Sequence, residues 1–473
     1  MYRDSRLSVQ VAQTQTLHRA SLDRWKARHF APATPTDPRL SAVIRSAKEL
    51  PTYAALYADS SDAIDAVING SASDPSAALR ALPLVDKETA RSITSDALHE
   101  RREHFSHYFE TSGTTSRPMA TPKGPFDIAT TTVTFGENWS EIIEAGSTAL
   151  ILINSPQGPA AFQFERALNY LGLLTFRTWV DTYRNDYDRV LDTIENLRPD
   201  VVAGPPSQVL NLYQRASDAG RTAPTFRSVL LLGERSTPGL KRRLAELSRG
   251  RVHDAAYGSS ETGTLAVAAS PGLRLQTHGF LFEIRDRSTG LLSLVSDQDD
   301  CAGELIVTPL DLLLRPLIRY DTGDVVQITR APSGEHLVTP LGRACDATPL
   351  PDVAIDQQEC EDLLWPIGER SPVLNYMFVA RDDGNALLVT STEGTSWESS
   401  PVGRAIRERL SGIALVTCDH LPAISGLGSA LGWKASRFLD LRCTAESGPA
   451  GLTESLRSAA RRQVDALVSG DVD

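Results

Sequence analysis

The chain has 473 residues, of which 41% are hydrophobic and 23% charged, and its 48 Lys plus Arg against 59 Asp plus Glu give a net charge of −11. That length exceeds one compact core and predicts two or three domains, with enough apolar side chains to fill them. The acidic balance repels phosphate backbones and excludes non-specific nucleic-acid binding, whereas a nucleotide needs only local N–H groups and positive potential.

The first segment, MYRDSRLSVQVAQTQTLHRA, has no apolar core of a signal peptide, and the longest apolar runs, such as TALILIN, are too short to span a bilayer. A membrane role is therefore not expected. The five cysteines, Cys301, Cys345, Cys360, Cys418 and Cys443, form no C-x-x-C pair and are odd in number. This argues against a disulfide framework or a cysteine zinc site and fits reduced thiols in the cytoplasm.

To about Glu100 the pattern is polar and helical, as in SLDRWKARHF and DPSAALRALPLVDKETARSI. The middle alternates strands and helices. Strands are expected at Ala149–Asn154, Leu174–Val180, Val201–Ala203, Ser228–Leu232 and Val252–Ala256. Helices are expected at Phe162–Leu171, Tyr187–Leu197, from Ser207, and at Gly239–Leu247. Such alternation predicts a largely parallel sheet covered by helices. From about Leu281 the texture becomes extended, in FLFEIRDRSTGLLSLV, GELIVTPL and DVVQITRAPSGEHLVTP, with Ser-Thr-Gly and Pro-Ser-Gly turn signals that favour antiparallel strands. After Asp346 follows a region of about one small domain's length. In it NYMFVARDDGNALLVTST reads as a hairpin, residues 395–402 as a surface loop, and SPVGRAIRERLSGI as an amphipathic helix.

Five motifs carry chemistry. Thr111-Ser112-Gly113-Thr114-Thr115 places hydroxyls around a glycine, as a loop wrapping phosphate oxygens requires; a solvated Ser/Thr linker is the plain alternative. Tyr257-Gly258-Ser259-Ser260-Glu261-Thr262-Gly263 follows a predicted strand, where open α/β sheets bind ligands. There Tyr257 can stack on a base and Glu261 can hold Mg²⁺, or the segment is only a Gly/Ser turn. Asp324, in RYDTGD, can accept from both ribose hydroxyls or merely close a turn. Gly342-Arg343-Ala344-Cys345-Asp346 marks the change of texture, and Lys434 lies in a late Gly-Trp-Lys. A lone loop lysine is ordinarily a solvated charge.

The order TSGTT, Gly233-Glu234, YGSSETG, GELIVT, RYDTGD, GRxxD and GxK resembles the adenylate-forming superfamily of acyl-CoA synthetases, luciferases and peptide-synthetase adenylation domains. LPLVDKETAR and PLIRYDTGD are similar to the phenylacetate–CoA ligase branch, over roughly residues 51–442. The resemblance implies an α/β fold. A large N-terminal domain, residues 1–345, would carry parallel and antiparallel sheets and bind ATP and an acid. A small mobile α+β lid, residues 346–473, would hinge at Asp346 and carry the catalytic Lys434.

It further implies that Thr111, Ser112, Gly113, Thr114 and Thr115 hold phosphates, and that Gly233 and Glu234 lie near the adenine or acyl pocket. Tyr257, Gly258 and Ser259 would line the nucleotide site, with Thr262 at the α-phosphate, Glu261 on Mg²⁺, and Asp324 at the ribose with Arg343 nearby. The cofactors implied are ATP, Mg²⁺ and CoA. The partners are a small acid and an acceptor.

Three departures stand out. Ser116 replaces the usual glycine, Met119 the usual lysine, and ATPLPDVAIDQQECEDLL replaces the usual glycine-containing loop after the hinge. The last leaves the acceptor open: CoA, a carrier-protein thiol, an amine or an inorganic nucleophile. The activated group could also be a small oxyanion such as nitrite, and an inactive nucleotide-binding homologue is the reading from another class. His253 and His278 read as ordinary packed or surface histidines. PQGPAAFQFE suits a planar aryl acid, unless Phe162 and Phe164 are core.

Overall fold

The computed structural model describes residues 5–28, 32–111, 118–153, 158–178, 187–343, 355–368, 371–391, 397–419, 421–422, 437–442 and 454–469. The first hundred residues fold as helices because their starts are encoded locally. Pro38, Pro51 and Pro75 open three of them, and the Asp37, Asp74 and Asp86 carboxylates accept from the N–H groups of Arg39, Ala77 and Thr89.

Five short strands then form one parallel sheet: β1 (Thr148–Ile151), β2 (Leu174–Arg177), β3 (Val201–Gly204), β4 (Ser228–Leu231) and β5 (Arg251–Asp254), in the order β2-β1-β3-β4-β5. The expected strands are all present with ends shifted by one to a few residues, while Asn154 and residues 179–180 lie outside the described residues. The helices Ala160–Tyr170, Asp188–Leu197, Pro206–Asp218 and Pro238–Ser248 alternate with them as expected. One face of the sheet packs on Phe135, Trp139, Phe164 and Leu168, so Phe164 is core.

A second sheet of eight strands follows: β6 (Ala256–Ser259), β7 (Gly263–Ala268), β8 (Leu273–Leu275), β9 (Phe280–Arg285), β10 (Leu292–Leu294), β11 (Asp300–Pro309), β12 (Tyr320–Arg330) and β13 (His336–Arg343). Every pair in it is antiparallel. It shares a core with the N-terminal helices. Two local expectations change here. Tyr257-Gly258-Ser259 is not a turn at the end of the parallel sheet but strand β6 of this second sheet. D-T-G-D is not a turn between strands but a bulge inside β12, where Leu305 faces the extra residues Thr322–Asp324.

A third sheet, β16-β15-β14-β17, is built from β14 (Val373–Ala380), β15 (Ala386–Ser391), β16 (Ala414–Thr417) and β17 (Phe438–Asp440). β14 and β15 form the expected hairpin, and Pro401–Arg409 is the expected helix. The supposed surface loop is overturned in part: Trp397 begins a short 3-10 turn, is fully buried, and donates its indole N–H to Thr417 Oγ1 at 2.8 Å. A large indole gains more from burial than a loop does from solvation.

One hydrophobic core runs across Leu210, Tyr213, Leu240 and Leu244 into Ile355, Leu364, Trp365, Tyr376 and Val389. The third sheet therefore sits against the helices Pro206–Asp218 and Pro238–Ser248. Cys301, Cys360 and Cys418 are free thiols, while Cys345 and Cys443 lie outside the described residues. No helix among the described residues is long and apolar enough to cross a membrane.

Candidate active site

In a parallel sheet of order 2-1-3-4-5 the crevice opens beyond the carboxyl ends of the strands, where the order reverses between β1 and β3. Gly233 and Glu234 follow β4 at that edge. Gly233 has a positive φ of 83°, and the Glu234 carboxylate accepts from Ser207 N at 3.1 Å and Ser207 Oγ at 2.5 Å. Ser207 is in the first turn of the helix after β3, so Glu234 ties the β4 loop to a helix N-terminus, which attracts negative charge.

Tyr257 and Asp324 meet. The phenol donates to Asp324 Oδ2 at 2.8 Å across 67 residues of sequence. The bulge in β12 aims the carboxylate: Thr322 Oγ1 donates to Leu305 O at 2.8 Å, and Asp324 N donates back to Thr322 Oγ1 at 3.1 Å. Gly323 sits there with φ 68°, a conformation other side chains resist. Arg343, the last residue of β13, is in register with Asp324, though its side chain is not among those described.

The β6–β7 hairpin carries Glu261 and Thr262, both buried. Ser259 Oγ and Thr262 Oγ1 are 3.1 Å apart, and Thr262 N donates to Ser259 Oγ at 3.1 Å, locking the turn. At Gly258 an added Cβ would collide with the Gly263 carbonyl, so only glycine lets the strands close this tightly. Beneath the hairpin Arg315, fully buried, donates through Nη2 to the Glu261 carbonyl, while among the described residues its Nε and Nη1 have no hydrogen-bond partner.

Lys123, only 4% exposed, lies within electrostatic reach of Glu261, Asp127 and Arg315. Burial, helped by the Arg315 charge, pushes its ammonium down to about 8, against the pull of Asp127 and Glu261. Burial raises the Asp127 carboxyl, and lowers the Arg315 guanidinium. A cavity of about 70 Å³ is lined here by Lys123, Asp127, Thr262, Gly263, Gln276 and His278 among others.

The hydroxyl loop is closed at its neck. Thr111 N donates to Met119 O at 2.9 Å and Met119 N to Thr111 Oγ1 at 3.0 Å, with bridges Glu110–Ala120 and His107–Lys123 below. Ser112, Gly113, Thr114 and Thr115 lie outside the described residues, as do Asp346 and Lys434. The loop stem meets the helix after β1 through His107, Phe109 and Phe162, with centroids 4.8 and 5.6 Å from Phe162, and Arg166 lies over that ring. Burial and Arg166 lower the His107 pKa. His253 is half-buried and its pKa lowered by burial, the behaviour of a packed histidine.

Among the described residues no group of three or more His, Cys, Asp or Glu could hold a metal by itself. A single buried carboxylate, Glu261, fits a Mg²⁺ that arrives on nucleotide phosphates, because Mg²⁺ is commonly held by one or two carboxylates plus phosphate oxygens. Sequence reasoning missed Lys123, Asp127 and Arg315. Their signal was present, since a lysine in TPKGP and an arginine in LLRPLIRY interrupt segments that otherwise read as buried.

A second missed cluster joins the third sheet to the β4 loop. The fully buried Glu361 accepts from Thr237 Oγ1 and from Tyr376 Oη at 2.7 Å, and lies 3.5 Å from Arg437. Arg437 in turn donates to the Arg235 carbonyl at 3.2 Å.

No family model matches the chain, and no curated protein matches its sequence. Solved structures do. 2-Hydroxyisobutyryl-CoA ligase in the postadenylation state with 2-HIB-AMP is 17% identical, with 90% of this chain and 91% of that chain covered and a TM-score of 0.66. The same ligase with 2-HIB-AMP and CoA in the thioesterification state is also 17% identical over 90% and 91%, with a TM-score of 0.56. In an open conformation with the same two ligands it is 18% identical over 81% and 87%, with a TM-score of 0.54. The chain shares the fold of 2-hydroxyisobutyryl-CoA ligase.

Proposed function

We propose that this protein activates a carboxylic acid with ATP, releasing pyrophosphate and forming an acyl-adenylate that is passed to CoA or another nucleophile. The observation that carries the reading is the 2.8 Å bond between Tyr257 and Asp324. It joins two distant motifs, a flat ring and a carboxylate, as a base-and-ribose pair requires, at the strand whose hairpin presents Thr262 and Glu261. That 2-hydroxyisobutyryl-CoA ligase, which shares the fold, holds 2-HIB-AMP and CoA supports CoA as the acceptor.

The chemistry is the meeting of two anions. A substrate carboxylate oxygen attacks the α-phosphorus, the bond to the β-phosphate oxygen breaks, and the electron pair leaves with pyrophosphate. Asp324 and Tyr257 orient the nucleoside. Thr262 donates to the α-phosphate, and the hydroxyl loop from Thr111 to Thr115 holds the outer phosphates. Mg²⁺, held by Glu261, supplies charge neutralisation when bound. Residues 346–473 act as a lid hinged at Asp346 that brings Lys434 to the developing charge and then withdraws it for the second nucleophile. The aromatic face of Phe162, with Phe109 and His107, suits a planar aryl acid.

Pyrophosphate release from ATP and Mg²⁺ with a panel of aryl acids, repeated with CoA, amines and nitrite, tests the reading and identifies the acceptor. Release above background with one acid, accelerated by one acceptor, is the expected result. No release with any acid or with nitrite would overturn it.

A further inference from the structure

The segment ATPLPDVAIDQQECEDLL, which replaces the usual glycine-containing loop, has no residue assigned in the mechanism above. Among the described residues it forms the helix Gln357–Leu364, started by the Asp356 carboxylate, which accepts from Glu359 N at 2.8 Å. Ile355, Cys360 and Leu364 are buried in one core with Leu240 and Leu244 of the helix Pro238–Ser248. The two helices approach closely: a Cβ on Gly239 would stand 3.1 Å from the Glu361 carbonyl oxygen.

Apolar packing accounts for this docking but not for the polar side chains at its edge. Glu361, fully buried, accepts from Thr237 Oγ1, from Tyr376 Oη at 2.7 Å and from Gln357 Nε2 at 3.0 Å. Gln357 Nε2 also donates to the Arg235 carbonyl at 3.3 Å, and Arg437 Nη2 donates to the same carbonyl at 3.2 Å. A buried carboxylate is costly unless donors surround it, and an apolar interface does not require one. The short loop between β4 and the helix Pro238–Ser248 is thus held from two directions. Ser207 holds Glu234 from within the first sheet, and Gln357, Glu361 and Arg437 hold Arg235 and Thr237 from the C-terminal region. The place of the loop says what this serves. β4 and β5 are neighbours, and Ala255 N donates to Leu231 O at 2.7 Å. The chain therefore leaves both strands side by side at the carboxyl edge, into Gly233 and Glu234 from one and into Tyr257 from the other.

We infer that the helix Gln357–Leu364 is a positioning element for the nucleotide: through Gln357 and Glu361 it fixes the loop of Gly233 and Glu234 at the distance from Tyr257 that the base requires. The inference rests on the acid-activation reading for placing the base against Tyr257. Gln357 and Glu361 do not touch the nucleotide themselves; they act through the Arg235 carbonyl and the Thr237 hydroxyl. Docking of the C-terminal region and ATP affinity are then coupled, and the coupling is reciprocal.

The test is titration calorimetry of the full-length protein with MgATP, well below the unfolding midpoint, for wild type, Gln357→Ala, Glu361→Gln, Glu234→Gln and the double variant at 357 and 234. Amide exchange of the helix Gln357–Leu364 is measured with and without MgATP. Gln357→Ala removes one hydrogen bond to the loop and is expected to weaken MgATP roughly three- to tenfold. Gln357 is only half-buried, so this variant serves if Glu361→Gln does not fold. The losses at 357 and 234 should be less than additive, because both act on one loop, and MgATP should slow exchange in the helix. Glu359→Ala, which breaks the 2.6 Å ion pair to Arg409 within the C-terminal region, is expected to bind as wild type. A merely structural role lowers the unfolding midpoint of Gln357→Ala and leaves affinity, additivity and exchange unmoved. That result, or equal weakening by Glu359→Ala, overturns the inference and leaves the acid-activation reading standing. If affinity falls as expected but no acid gives pyrophosphate with wild type, the positioning stands and the reading fails. A wild type that binds no MgATP overturns both.

Discussion

Replacing Asp324 with alanine is expected to weaken ATP binding strongly and leave acid binding almost unchanged. Asp324 accepts from Tyr257 at 2.8 Å and is aimed by the bulge around Gly323. In the proposed nucleotide complex it would gain the two ribose hydroxyls, each worth about 1.5–3 kcal/mol as a hydrogen bond to a charged group. Removing it also takes away the 2.8 Å bond made by the half-buried Tyr257 hydroxyl. After water takes up part of the loss, about 3 kcal/mol remains, roughly a hundredfold to two hundredfold in the ATP dissociation constant.

Tyr257→Phe keeps the ring, removes one bond to a charged group, and should cost about 1.5 kcal/mol, near tenfold. Because the two residues share a bond, their effects should not add, and the double mutant should lose less than the sum. Calorimetric titration of ATP and of the activated acid, for wild type, both single mutants and the double mutant, measures all of these. If Asp324→Ala binds ATP as wild type does, Asp324 serves only the bulge, and its substitution should then appear as a lower melting temperature instead.

Lys434→Ala is expected to cut pyrophosphate release by an amount equivalent to about two to four kcal/mol of transition-state stabilisation while ATP binding stays near wild type; wild-type release would refute the role. Glu361→Ala leaves the buried Arg437 without its counter-charge 3.5 Å away and breaks the bonds from Thr237 and Tyr376. A destabilisation on the order of 3–5 kcal/mol is expected, read as a lower unfolding midpoint, and an unchanged midpoint would show that the cluster is dispensable. Asp86→Ala removes a helix cap worth about 1 kcal/mol at neutral pH. Its bonds to Thr89 hold the Asp86 carboxyl below its ordinary value of 3.8. The stabilisation is therefore present above that value and lost as pH falls through the lower folded value, so the melting temperatures of wild type and mutant should differ at neutral pH and converge in strong acid.

The elements and their layers are encoded locally along the chain. Helix starts in the first hundred residues are local events, set by proline at the first turn and aspartate at the cap, and these are visible in DPSAAL or VDKETA without any partner. The parallel sheet was legible because its central strands β1, β3 and β4 are buried and read as short, mostly apolar runs, and the antiparallel sheet because its turns carry glycine. Motif order pointed to the site. The conformation of the motifs depends on long-range packing. Tyr257-Gly258-Ser259 became part of strand β6 because the edge beside β7 supplies hydrogen bonds that a turn lacks, and D-T-G-D became a bulge because β11 runs on past it. Trp397 went inside because the third sheet offered an apolar cavity and the Thr417 hydroxyl. Lys123, Asp127, Glu261 and Arg315 are separated by up to 192 residues between Lys123 and Arg315 (315 − 123) in the chain, and the last cluster joins Thr237 to Arg437 across 200 (437 − 237). No periodicity or spacing encodes such charge clusters, because the interaction that makes a buried lysine tolerable is fixed by distance in space, and only folding brings those side chains within reach.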